Sequence, residues 1–176
     1  MKLLVIALIL IGANSATAST KSPYIGEELS EIKSLSPGEI NGLLQGNGMG
    51  FAKAAELNQY PGPRHVLDLA DQLQLSNQQL AQTNQIFESM REKAINLGAL
   101  LVGHERELDT LFSSELVSPA VLDSLLLKIG ETRARLRGVH LHAHLEMKKI
   151  LSHHQIMMYD SLRGYSNESQ KHGHSH

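Results

Sequence analysis

From Ser76 to Leu116 the chain contains no proline and keeps one apolar period throughout. Leu80, Thr83, Phe87, Met90, Ala94, Leu97, Leu101, His104, Leu108 and Leu111 follow each other at alternating steps of three and four. That is the repeat of a helix packed along its length against another helix. Ser76, three residues before Gln79, forms a capping box that starts it. The pattern predicts a helix of about 39 residues, about 58 Å long at 1.5 Å per residue. Ser118-Pro119 caps a second seam: Leu122, Leu125, Ile129, Thr132, Leu136, Val139, Ala143, Met147 and Ile150. Only Val117 and Ser118 separate the two patterns, so the helices must turn back as an αα-hairpin.

Antiparallel pairing across that turn matches residues whose numbers sum to about 235, a register set by the helical rise. The rule sets Gly98 opposite Gly138 and Gly103 near Gly130. Matched glycines predict close backbone approach or a shared bend; exposed, unconnected glycines are the alternative. Ile86, Leu100, Val102 and Leu126 form a second apolar edge, from which we expect a homodimer.

The flanks are shorter and more broken. Leu3 to Ala13 is an apolar run shorter than the roughly 20 residues of a membrane span. It follows Lys2 and precedes Ala16-Thr17-Ala18, the small-x-small pattern of a signal-peptidase site. Residues 1–18 are therefore expected to be a signal peptide and the mature protein to be exported. Residues 19–50 are expected to be a flexible N-terminal segment. It holds a capping box at Ser36-Pro37-Gly38-Glu39 and a glycine-rich stretch from Gly46 to Gly50. A chain beginning at Gly50 is expected to keep its fold. Short helical patterns run from Phe51 to Gln59 and from Arg64 to Leu73, either side of Pro61-Gly62-Pro63. Residues 51–165 are the expected domain, and residues 166–176 a disordered, histidine-containing tail. The fold class is all-α: a long antiparallel hairpin with short helices packed over its open end.

Composition narrows the function. The chain has no Cys, so disulfides and thiolate metal sites are excluded. The formal charge of −2 disfavours nucleic acid as a partner. No Gly-x-Ser-x-Gly, phosphate-cradling glycine loop or Ser near a His–Asp pair is present, so no enzyme and no organic cofactor are expected. Eight of the ten histidines fall between Val139 and His176. His140 and His144 are four apart, on one helix face, a spacing that suits two imidazole ligands. Met147 lies one turn further on and suits softer metals. The sum rule places Met90, Arg91 and Ala94 opposite, with Glu88 and Glu92 on nearby turns. His65 comes from the preceding helix. His140, His144, His65, Met147 and Glu88 are the candidate ligands for a divalent ion: zinc, nickel, cobalt or copper. A solvated or core-edge histidine pair is the alternative. His104, a seam position, is expected to be hydrogen-bonded to Glu131 or a neighbour. Acidic residues gather on the first long helix and basic ones on the second. They read as solvated faces with cross-hairpin pairs, or as a basic concave face for a partner.

Leu75-Ser76-Asn77-Gln78-Gln79 and Leu151-Ser152-His153-His154-Gln155 repeat Leu-Ser-x-x-Gln at the two feet of the hairpin. This pair resembles the Leu-Thr-x-x-Gln motif of the Spy/CpxP-like periplasmic superfamily. The stretches 55–67, 139–147 and 159–165 resemble its heavy-metal sensor and resistance members of the CnrX/ZraP kind. Both copies here carry Ser for the usual Thr, and either hydroxyl caps a helix. The resemblance spans residues 50–165. It implies a helical hairpin, often as a cradle-shaped dimer, and a non-catalytic role in envelope or metal stress. A periplasmic metal sensor is the reading taken forward, with an inner-membrane sensor or anti-sigma protein as its partner. The rival is an ATP-independent chaperone for unfolded clients, or a sensor-kinase inhibitor.

Overall fold

Two long helices carry the architecture: α4, Asn77–Ser113, and α5, Pro119–Ile150. The computed structural model describes residues 21–165; the expected signal peptide and histidine tail lie outside the described residues. Before α4 come α1 (Pro37–Leu44), α2 (Lys53–Glu56) and α3 (Pro63–Asp68), and after α5 comes α6 (His153–Leu162). Among the described residues there is no strand, and no helix is long and apolar enough to cross a membrane.

The hairpin follows the seam. Thr83, Met90, Ala94, Leu97 and Leu101 of α4 are buried, as are Leu125, Ile129, Thr132, Leu136, Ala143 and Met147 of α5. The turn is longer than the two expected residues. α4 stops at Ser113, and Glu115 takes a left-handed φ of 57° before Ser118 restarts the helix. Past Leu101 the buried face of α4 rotates to Val102 and Glu105, leaving His104 only half-buried. The nearest acid to His104 is Glu107, 4.0 Å away on its own helix, not Glu131. Glu131 faces Arg135 instead, and no ion pair crosses from α4 to α5 among the described residues.

The rotation has a cause. The segment before Gly50, expected to be loosely attached, is a third layer on α4. Ile32, Leu35 and Leu43 are 0%, 6% and 4% exposed and share a cluster with Ala94, Leu101, Val102, Leu125 and Leu136. Polar contacts fasten its rim. Ser34 donates to the buried Glu105 at 2.8 Å, Lys33 meets Asp109 at 3.2 Å, and Arg106 meets Glu31 at 2.7 Å. The exposed ion pairs add at most about 1 kcal/mol each; apolar burial dominates. Val102, expected on a dimer edge, is covered by this layer, while Leu100 and Leu126 stay exposed.

Gly98 is explained by the same layer. A Cβ there would collide with the backbone carbonyl of Leu43, so only glycine lets α1 dock. Its expected partner, Gly138, has open space around it, as do Gly103 and Gly130. The matched-glycine reading therefore fails. Gly98→Ala should destabilise by about 1–3 kcal/mol or more through overpacking against backbone. Gly103→Ala should stabilise by up to about 1 kcal/mol, the helix-propensity difference. Urea midpoints that moved in the same direction for both would contradict this account.

The repeated Leu-Ser-x-x-Gln motif does more than cap. Ser76 and Ser152 each close a full capping box with Gln79 and Gln155. The two glutamine amides then bond each other: Gln79 Nε2 donates to Gln155 Oε1 at 2.8 Å, and Gln155 Nε2 to Gln79 Oε1 at 3.1 Å. Gln79 also donates to the Ile150 carbonyl and Gln155 to that of Leu73. This clasp ties the feet of α4 and α6 to the ends of α5 and the α3–α4 connection. Gln155→Ala strands several buried partners at once, each worth about 1–3 kcal/mol when unpaired. It should cost several-fold more in urea unfolding free energy than Ser152→Thr, which keeps the cap.

Candidate functional site

The open end of the hairpin encloses a pocket of about 490 Å³. His140 and His144 of α5, Met90 and Arg91 of α4, and His65 of α3 line it, as the sum rule and the short-helix packing predicted. Its other walls come from the 45–50 loop, α2 and the end of α6.

His144 is the most tightly positioned group. Its Nδ1 lies 2.6 Å from the carbonyl oxygen of Tyr60. A carbonyl only accepts, so Nδ1 carries the proton and donates it. In the neutral ring Nε2 then keeps its lone pair, the form a metal or a donor needs. Tyr60 is itself held by the Lys148 ammonium, 3.9 Å from its ring centroid. Gly62 makes room for the imidazole: a Cβ there would stand 3.0 Å from Nε2. Pro61-Gly62-Pro63 thus lets the backbone press against a histidine ring.

His140, one turn earlier, is 3% exposed and stacks on Phe51 with ring centroids 5.8 Å apart. Its Nε2 is buried without a hydrogen-bond partner. Burial, and then the neighbouring His144, lower its pKa below the usual histidine value, so the neutral form persists into mild acid.

The carboxylate at this site is Glu56, which the sequence reading did not single out. Its Oε1 accepts from the Tyr159 hydroxyl at 2.5 Å and the Tyr165 hydroxyl at 3.1 Å. Arg163 Nε stands 3.4 Å from the same oxygen without closing a hydrogen bond. Burial, then the bond to Glu56, raises the Tyr159 pKa far above the ordinary range. Burial raises that of Tyr165 as well, so both phenols stay donors. Glu56 Oε2 is left buried, unpaired and 3.8 Å from His144 Nδ1.

Two expected ligands are not at the pocket. Met147 is fully buried in a cluster with Val66, Leu73, Leu151, Ile156 and Tyr159. It is a seam residue first, and the seam claims its sulfur. Glu88 is exposed and does not line the pocket. His65 is at the rim, 44% exposed, with its Nδ1 3.6 Å from Asp68. Among the described residues no three His, Asp or Glu side chains converge closely enough to hold an ion by themselves.

The chain matches no protein-family model, no curated protein and no solved structure.

Proposed function

We propose that this chain is a non-catalytic periplasmic metal-binding sensor or resistance protein of the envelope stress response. It takes a divalent transition metal ion at the open end of the hairpin. The observation that carries this reading is the state of the two histidines. The Tyr60 carbonyl commits His144 Nδ1 and leaves Nε2 as a lone pair, the backbone orientation typical of metal-bound histidine. His140 Nε2, on the same helix face, is buried and unpaired, and so is Glu56 Oε2. Buried polar atoms without partners call for an explanation, and an ion taken by the two imidazole nitrogens would supply one for His140. The resemblance to the heavy-metal members of the Spy/CpxP-like superfamily points the same way. Metal titration of wild type against His140→Ala/His144→Ala tests it.

A chaperone reading draws on a different surface. Phe112, Leu116 and Leu127, around the hairpin turn, are 57%, 74% and 76% exposed. Such a patch suits unfolded clients or a second copy of the chain. Suppression of client aggregation in the presence of a metal chelator would favour that role.

A further inference from the structure

We infer that the open-end pocket takes its metal together with a small polycarboxylate chelator, held by Lys53 and Arg91. The inference rests on the metal-binding reading above. Size is the first reason. A pocket of about 490 Å³ is far larger than an ion requires. It falls in the range of about 300–1,000 Å³ typical of organic ligands.

Charge is the second reason. Lys53, Arg64, Arg91 and Arg163 line the pocket, against the single carboxylate of Glu56. Arg64 is taken up by Asp68 at 3.2 Å, and Arg163 by Glu56. The Lys53 and Arg91 side chains have no carboxylate partner among the described residues. A bare dication entering here adds to an excess of positive charge. A dication inside an anionic chelate reverses the sign of that interaction.

Coordination is the third reason. His140 and His144 offer two nitrogens, and Glu56 does not converge with them into a closed cage. A transition dication needs four or more donors, so positions remain for exogenous oxygens. Chelator carboxylates supply those lone pairs by displacing bound water, and a further carboxylate reaches the cationic side chains. Met49, Phe87 and Met90 give the carbon skeleton an apolar wall.

The test is equilibrium dialysis of the full chain, stripped of metal, with nickel alone, labelled citrate alone, and the two together. Nickel alone should bind. Citrate should be retained one to one only when nickel is present. The Lys53→Ala/Arg91→Ala double variant, checked for an unchanged thermal melt, should lose citrate retention by about tenfold or more. Lys53→Arg/Arg91→Lys should restore most of it. Arg135→Ala, exposed on the flank of α5, should leave it unaltered. If citrate strips nickel and is not itself retained, the inference falls while metal binding stands. Citrate retained equally without nickel, or retained by the Ala variant, also overturns it. If nickel binds neither alone nor with citrate, the metal reading falls and takes this inference with it.

Discussion

Removing residues 1–49 is expected to abolish the cooperative melt. Ile32, Leu35 and Leu43 leave the core together, and each fully buried aliphatic side chain is worth about 1.5–3 kcal/mol. The loss also uncovers Val102, Leu101 and Ala94 along the middle of α4, and strands the buried Glu105 without Ser34. A domain has only about 5–15 kcal/mol of net stability, so this fraction is large. The shortened chain should stay helical in far-ultraviolet circular dichroism, because the α4–α5 seam survives, but unfold over a broad range. Single variants grade the effect: Ile32→Ala should cost about 2–5 kcal/mol. A sharp two-state melt of the chain beginning at Gly50, near the full-length midpoint, would mean this layer is not core.

The same residues show what was legible in the sequence. A seam repeated over nine steps of three and four is redundant, so α4, α5 and their hairpin could be read from period alone. Ile32, Leu35 and Leu43 lie among Ser, Gly and Glu, with no sustained period, and their partners are about 50–100 residues downstream. Local pattern does not report such contacts. Gly98 was visible as an anomaly, but pairing rules knew only two helices and gave it the wrong neighbour. At the site, His140 and His144 were legible because four-residue spacing is a property of one helix. Glu56 was not, because it sits on a four-residue helix and its partners, Tyr159 and Tyr165, are 103 and 109 residues away. Met147 satisfied two patterns at once, a ligand step from His144 and a seam position. Burial of a long apolar side chain in a packed core outweighs a weak thioether bond, and the structure resolves the conflict that way.

Replacing both His140 and His144 by Ala should weaken metal binding more than about 100-fold, since losing even a group that only orients a ligand costs about 10–100-fold. Deleting residues 166–176, with His172, His174 and His176, should change affinity little, because the proposed ligands His140 and His144 both stand on α5. The pH dependence separates this site from a surface histidine pair. On the proposed reading neutral imidazole would be the ligand, so protons would compete with the metal. The His140 pKa is lowered by burial, and its share of the affinity should therefore persist below the ordinary value of about 6.5 and fall only through the depressed pKa. Stability carries the matching sign. In the window between the depressed pKa and about 6.5, the unfolded chain binds a proton at His140 that the folded chain does not. The metal-free protein should lose stability as pH falls into that window and level off below it. His140→Asn should flatten this part of the profile. Calorimetric titrations between pH 5 and 7.5, paired with urea melts, read both quantities on one sample. A double variant that binds nickel like wild type, with affinity lost on removing the tail, would transfer the site to the tail and leave the chaperone reading to explain the hairpin.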